Sequence, residues 1–179
     1  MPVLKYPPMN GNHKPVTAFL ALGSNLGNRI ANLRGAKQTL HCPPELCIVN
    51  ASALYETDPV GGPDGQPPYL NAVLEVQTLL PAARLLEFCL AVEQLYGRCR
   101  QVRWGARSLD IDLLFYADNV HRQKDLIVPH PRLHQRAFVL TPLLDVAPDL
   151  IHPLLQRTVR EMLTQLPSTA GVRRLPDLW

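Results

Sequence analysis

The sequence predicts an α+β domain with a ferredoxin-like βαββαβ core, in which helices cover a mainly antiparallel sheet, followed by a C-terminal hairpin and short helices. The main observation is the order of apolar patterns along the first two thirds of the chain: strand, helix, strand, strand, helix, strand. Proline- and glycine-rich loops separate these patterns, and 18 prolines are about double the average usage. The length of 179 residues fits one domain, and we find no internal repeat.

The first half of the core begins with a buried strand. The apolar run 16–22 predicts that strand, and 23–27 form a tight loop after it. Apolar residues at helical spacing predict a helix over 28–41, with Asn28 as its N-cap. The alternating pattern of 47–56 predicts one long strand.

The second half repeats the order strand, helix, strand. Residues 57–68 contain too many prolines and glycines to continue a ladder, so we expect a loop ahead of a strand at 69–79. Helical spacing over 82–96 predicts the second helix. An arginine-rich loop at 98–107 then leads into an apolar strand at 108–116.

The rest of the chain is predicted to form shorter helices and strands. We expect a hairpin near 117–119 and two short helices near 136–146 and 156–166. The chain therefore divides into a flexible leader at 1–15, a single domain at 16–167 and a C-terminal tail at 168–179.

Composition excludes several classes of protein. A net charge of +3 is too small to argue for nucleic-acid binding by itself. The four cysteines form no C-x-x-C pair, so a zinc site or disulfide framework is not expected. No run approaches the roughly 18 apolar residues that a membrane span needs. A cytoplasmic enzyme or binding module remains.

Asp110 and Asp112 are the first candidate site residues. They lie two apart on a predicted strand, so both carboxylates share one face among apolar neighbours. Two such carboxylates are costly unless they are paired or bind metal, and oxygen ligands favour magnesium over zinc. The alternative is a structural salt-bridge cluster with Arg98, Arg100 or Arg107.

Four arginines lie within ten residues just before these acids: Arg98, Arg100, Arg103 and Arg107. Magnesium together with guanidinium groups is typical of phosphoryl chemistry, in which catalysis is mainly positioning and charge neutralisation. The chain has no G-x-x-x-x-G-K-[ST] phosphate loop. If ATP binds, arginines and metal must hold its phosphates.

Several aromatic and polar residues suit a flat ligand. Trp104 is either a clamp for its loop or a lid over a planar group. Tyr69 and Asn71 share one strand face and suit a heterocycle, although a core tyrosine and a structural asparagine explain the pattern as well. His130 and Phe138 are equally compatible with ordinary packing.

Several blocks, in this order, resemble the 6-hydroxymethyl-7,8-dihydropterin pyrophosphokinases of folate biosynthesis. The resemblance spans roughly 17–166. The blocks are Ala21-Leu-Gly-Ser-Asn-Leu26, Tyr55-Glu-Thr-Asp-Pro59, Tyr69-Leu-Asn-Ala72, Gly97-Arg98, Arg103-Trp-Gly-Ala-Arg-Ser-Leu-Asp-Ile-Asp112, Val128-Pro-His-Pro-Arg-Leu133, Arg136-Ala-Phe138 and Pro142-Leu143.

The resemblance implies transfer of the β,γ-pyrophosphoryl group of ATP to the pterin hydroxymethyl group, with release of AMP. It implies that Asp110 and Asp112 hold two Mg²⁺ ions and that Arg98 and Arg107 stabilise charge on the phosphates. The pterin contacts that it implies are Thr57, Val60, Tyr69, Asn71, Trp104 and Phe138. The ATP contacts that it implies are Glu93, Arg98, Arg100, Arg103, Trp104, Arg107, Leu113, His130 and Arg136.

Two other functions are compatible with the residues alone. A ferredoxin-like sheet also serves RNA-binding modules, in which an arginine loop contacts the phosphate backbone. A structural protein whose Asp–Arg cluster is only a salt bridge is the other possibility. We expect a cytoplasmic monomer that binds ATP and a reduced pterin and binds neither nucleic acid nor membranes.

Overall fold

The computed structural model describes residues 14–59, 61, 63, 65–97, 105–176 and 179. The described residues form four α-helices, which are α1 (Arg29–Leu40), α2 (Ala82–Leu95), α3 (Ala137–Val146) and α4 (Val159–Thr164). A 3-10 turn at Leu133–Gln135 precedes α3. Their strands are β1 (Val16–Ser24), β2 (Leu46–Ala51), β3 (Tyr55–Thr57), β4 (Tyr69–Thr78), β5 (Asp110–Tyr116), β6 (His121–Gln123), β7 (Leu126–Val128), β8 (Ile151–His152), β9 (Arg157–Thr158) and β10 (Val172–Arg174).

The main sheet is antiparallel throughout. Its strand order is β10-β3-β4-β1-β5, and β2 also pairs with β4. The central order, with β1 between β4 and β5, is that of a βαββαβ core whose two helices cross over the sheet. The predicted α+β class with a mainly antiparallel sheet is confirmed.

The predicted long strand at 47–56 is divided into β2 and β3. At the break, the Ser52 amide donates to the Val73 carbonyl, and the Val73 amide donates to the Ser52 hydroxyl, both at 2.9 Å. The serine side chain therefore takes the place of a ladder carbonyl, which ends β2 while keeping it next to β4. The C-terminal hairpin lies slightly later than predicted, at β6 and β7, after a turn at Ala117–Asp118.

Helices cover both faces of the sheet. On one face, α1 packs on β1 and β4 and α2 packs on β5, through a cluster that includes Leu33, Leu85 and Leu20. On the other face, α3 and α4 pack through a second cluster that includes Leu140 and Phe115. Among the described helices, none combines the length and the apolar character required to cross a membrane.

The strand register brings distant parts of the chain together at one edge of the sheet. Gly23, near the end of β1, lies opposite Asn71 of β4 on one side and opposite Asp110 of β5 on the other. Tyr69 of β4 in turn lies opposite Thr57 of β3. The polar residues of three strands therefore converge beside α3.

Candidate active site

A cleft of about 650 Å³ lies at this edge, a volume typical of small-molecule sites. The strands supply its floor, the segment before α3 supplies one side, and the C-terminal segment supplies another. Its lining includes Gly23, Thr57, Asp58, Tyr69, Asn71, Arg107, Asp110, Asp112, His130, Arg132, Gln135, Arg136, Phe138, Gly171 and Val172.

Asp110 and Asp112 lie on the cleft face of β5, because Ile111 between them is buried against the opposite helices. Arg107 Nη1 donates to Asp110 Oδ2 at 2.8 Å, and its Nε lies 3.4 Å from the Gly105 carbonyl. Burial alone would lower the pKa of Arg107, but the adjacent acids, mainly Asp110, outweigh it and raise that pKa. The arginine therefore stays charged beside the carboxylates.

Asp112 faces a second group of nitrogen atoms. Its Oδ2 lies 3.5 Å from Arg136 Nη1 and 3.8 Å from His130 Nε2. Burial, with added repulsion from Arg136 and Arg132, lowers the pKa of His130 to about 4. The imidazole is consequently neutral at physiological pH and contributes a hydrogen-bonding group rather than a charge.

The donor set of the cleft fits magnesium. Within the described part of the chain, no group of three or more His, Cys, Asp or Glu side chains comes together, so a closed all-protein metal cage is not formed there. The side chain of Asp112 is 37% exposed and accessible from the cleft. Mg²⁺ is usually bound in this way, by one or two carboxylates, with water and phosphate oxygens as its remaining ligands.

The other half of the cleft presents a flat, partly apolar surface. Tyr69 and Phe138 both line it, and the Arg136 guanidinium lies 5.5 Å from the Phe138 ring centroid. Asn71 Nδ2 donates to Thr57 Oγ1 at 2.7 Å, and both side chains are buried. Burial raises the pKa of Tyr69, so its hydroxyl stays protonated. Aromatic faces beside a held amide suit a planar heterocycle.

Glu93 and Leu113 do not line this cleft. Leu113 belongs to the core cluster between the sheet and α1 and α2. Glu93 is 1% exposed, and its Oε1 accepts a hydrogen bond from the Ile111 amide at 2.7 Å. Glu93 therefore contacts the backbone between the two aspartates from behind the strand. Their predicted contacts with ATP remain predictions.

Five predicted site residues lie outside the described part of the chain: Val60, Arg98, Arg100, Arg103 and Trp104. Their assigned roles also remain predictions.

Two asparagines that were not predicted as site residues hold the segment immediately before β5. The buried Asn25 accepts from the Arg107 amide through Oδ1 at 2.7 Å, while its Nδ2 lies 3.3 Å from the Pro67 carbonyl. Asn32 Nδ2 donates to the carbonyls of Leu26 and Ser108, both at 3.0 Å. For Asn25, its place in the loop between Gly23 and Gly27 is the signal that was available in the sequence, but its partners are far away along the chain.

Gly23 is the third residue that was missed. A Cβ atom at this position would lie 3.3 Å from Asn71 Oδ1 and 3.9 Å from Asp110 Cβ. The absence of a side chain therefore keeps the floor open between the aromatic half and the acidic half of the cleft.

Comparison with known proteins connects this geometry to one family. Residues 19–148 match the family described as 7,8-dihydro-6-hydroxymethylpterin-pyrophosphokinase (HPPK). The 2-amino-4-hydroxy-6-hydroxymethyldihydropteridine pyrophosphokinase of Methylorubrum extorquens is 42% identical over 158 residues, which cover 88% of this chain and 98% of that protein. The Bacillus subtilis protein of the same name is 45% identical over 130 residues, covering 72% and 77%.

Longer proteins match over only part of their length. The folic acid synthesis protein fol1 of Schizosaccharomyces pombe is 38% identical over 156 residues, which cover 87% of this chain but 21% of that protein. The wild-type Plasmodium falciparum HPPK-DHPS crystal structure has a TM-score of 0.69 at 18% identity, covering 87% of this chain and 42% of that chain. At that identity the likeness supports the fold alone. The family match over 19–148 and the nearly full-length relative show that the chain belongs to the HPPK family.

Proposed function

We propose that this cleft is the active site of the chain and that Asp110 and Asp112 hold two magnesium ions in it. The chain transfers the pyrophosphoryl group of ATP to the hydroxymethyl group of 6-hydroxymethyl-7,8-dihydropterin in folate biosynthesis. The hydroxymethyl oxygen forms a bond to the β-phosphorus and its proton passes to water, while the bond from that phosphorus to the α,β-bridging oxygen breaks and AMP leaves with the electron pair. The observation that carries the proposal is the convergence of two strand carboxylates, Arg107 and an aromatic surface in one cleft.

Asp110 and Asp112 are fixed by the strand, so their oxygen atoms are already placed on one face before substrate arrives. When bound there, magnesium neutralises charge on the phosphate oxygens and acts as a Lewis acid. Asp110 faces the Arg107 guanidinium and Asp112 faces the Arg136 guanidinium, so each carboxylate has a cationic partner in the chain.

Arg107 and Arg136 bind the nucleotide phosphates in this proposal. Both guanidinium groups line the cleft next to the acids, at 2.8 Å from Asp110 and 3.5 Å from Asp112. Exchange of the carboxylate partner for a phosphate oxygen keeps each guanidinium paired and brings positive charge to the reacting group. Neutral His130 adds a hydrogen bond without adding repulsion between its neighbours. Arg98, Arg100 and Arg103 complete the phosphate contacts.

Tyr69 and Phe138 sandwich the pterin ring, and the buried Asn71–Thr57 pair binds its edge. The 2.7 Å hydrogen bond between the Asn71 and Thr57 side chains fixes the orientation of the Asn71 amide, and therefore the direction of its oxygen atom. Val60 and Trp104 complete the pterin contacts.

We also infer that the chain acts as a cytoplasmic monomer and binds no nucleic acid. A net charge of +3 is too small to favour nucleic-acid binding by itself. Light scattering on a size-exclusion column tests the monomer, and titration with an oligonucleotide at low salt tests nucleic-acid binding.

The decisive experiment measures AMP release from ATP with the reduced hydroxymethylpterin, with and without Mg²⁺. We expect AMP formation that requires both the pterin and the metal. AMP formation that is independent of the pterin, or salt-sensitive RNA binding without turnover, would contradict the proposal.

A further inference from the structure

The segment that follows α4 forms part of the cleft wall. Its lining residues are Leu166, Pro167, Ser168, Ala170, Gly171 and Val172. Val172 adjoins Thr57, and Gly171 adjoins Asp58. A Cβ atom on Gly171, whose φ is +83°, would lie 3.6 Å from Asp58 Oδ2. The segment therefore touches the residues that border the aromatic half of the cleft.

After this wall, the chain continues along the free edge of β3. Val172 lies opposite Thr57, and Arg173 lies opposite Glu56. Beyond β10, the Leu175 amide donates to the Leu54 carbonyl at 2.8 Å. The Trp179 indole N–H donates to the Ser52 carbonyl, also at 2.8 Å. Contacts with the tail thus extend along most of residues 52–57.

Glu56 links this edge to two other segments of the chain. Its carboxylate pairs with Arg173 and, at 3.0 Å, with Arg29 Nη2. Arg29 Nη1 also donates to the Pro68 carbonyl at 2.7 Å, immediately before Tyr69. The Arg173 hydrogen bond, followed by that of Arg29, lowers the pKa of Glu56. One carboxylate therefore joins β10, the start of α1 and the end of the loop before β4.

We propose that residues 166–172 form the pterin-side wall of the active site and that β10 is a positioning strand for Thr57. This inference rests on the proposed function and makes the C-terminal segment part of the enzyme domain. A three-residue strand such as β3 is weakly held when only one of its edges is paired. Pairing with β10 on the second edge fixes Thr57, and hence the hydrogen bond from Asn71.

The wall is tested by Ala170→Trp, which adds bulk at an exposed lining residue. The matched control is Leu154→Trp, at an exposed residue that does not line the cleft. We expect the Kd for the pterin to rise at least about tenfold in Ala170→Trp alone. Binding of a non-hydrolysable ATP analogue and the melting temperature should remain as in the unsubstituted chain.

The positioning role is tested by Arg173→Ala, with Arg160→Ala as control, because the Arg160–Asp149 pair at 3.9 Å is exposed and outside the cleft. We expect KM for the pterin to rise several-fold while kcat changes less than about twofold, the signature of lost binding rather than lost chemistry. Arg173→Lys should restore part of the affinity, since it keeps the charge. A merely structural contact would lower stability without this separation of KM from kcat.

The outcomes separate this inference from the proposed function. If the unsubstituted chain releases no AMP in a pterin-dependent way, the proposed function fails, and the inference fails with it. If the unsubstituted chain is active but Ala170→Trp binds pterin as well as Leu154→Trp does, only the inference is overturned. Equal loss of pterin and ATP analogue in Ala170→Trp would also overturn it, because the wall would then serve the whole cleft.

Discussion

At the scale of single residues, the main question is what Asp110 and Asp112 do. The structure supports the structural salt bridge in one respect, because Arg107 lies 2.8 Å from Asp110. It also shows that the side chains of Arg107, Asp110 and Asp112 are partly exposed and line the same cleft as an aromatic surface. A salt bridge that serves stability alone has no need of such a cleft, and partly exposed ion pairs contribute little to folding.

Asp112→Asn separates the two roles, because it keeps the shape of the side chain and removes its charge. We expect kcat/KM to fall at least about a hundredfold, since magnesium contributes several kcal/mol to charge stabilisation. The melting temperature should change little. The measurements are AMP release and thermal unfolding, with the exposed Asp149→Asn as control. A stability loss with normal turnover would favour the salt-bridge interpretation.

Gly23→Ala tests the open floor of the cleft. The added Cβ lies 3.3 Å from Asn71 Oδ1, so the amide must move by a few tenths of an ångström. We expect KM for the pterin to rise while binding of an ATP analogue stays the same. Steady-state kinetics and equilibrium binding check this. An unchanged KM for the pterin would show that Asn71 does not need its present position.

At the scale of elements, the short strand β3 is held by two groups besides its pairing with β4. One is β10, and the other is Asp145 of α3. The Tyr55 hydroxyl lies 2.9 Å from both carboxylate oxygens of Asp145, and the Ala53 amide donates to Oδ2 at 3.0 Å. Asp145 of α3 therefore holds both Ala53 and Tyr55, the neighbours of Leu54 at the start of β3.

Asp145→Ala removes both contacts and leaves the buried Tyr55 hydroxyl without this acceptor. We expect the free energy of unfolding at pH 8 to fall by about 1–2 kcal/mol. Burial, followed by the bond to Asp145, raises the pKa of Tyr55 to about 12. The stabilisation is therefore fully present below about pH 10, the usual pKa of tyrosine, and is lost as the pH rises towards 12.

Urea unfolding at pH 8 measures this loss. Asp149→Ala is the control, because its carboxylate lies 3.9 Å from Arg160 and both side chains are exposed. Equal stability of the two variants would show that the contact between α3 and β3 contributes nothing.

At the scale of the whole molecule, binding and folding are linked, because the cleft exists only when β1, β3, β4 and β5 are assembled. An ATP analogue with Mg²⁺ should bind the folded state alone and raise the melting temperature. At a concentration of about 100 times Kd, we expect a rise of roughly 5–10 °C. Differential scanning calorimetry measures it. The rise in melting temperature should be smaller when EDTA removes the metal and should be lost in Asp112→Asn. An equal rise with the metal, with EDTA and in Asp112→Asn would contradict metal-assisted binding.

Features that depend on neighbouring residues were predictable from the sequence. Alternation and helical spacing predicted the class of fold and the order of its core elements, because both patterns are set within a few residues of chain. The pair Asp110 and Asp112 was likewise recognisable, since a strand places residues two apart on one face.

Features that depend on distant contacts required the tertiary structure. The break between β2 and β3 arises from the Ser52 hydroxyl bonding to Val73, and the role of Asn25 arises from its bond to the Arg107 amide. Likewise, the C-terminal segment has no strong strand pattern, yet it forms β10, because the open edge of β3 offers backbone groups that it can pair with. Partners of this kind are chosen by the packing of the whole sheet, so no local pattern identifies them.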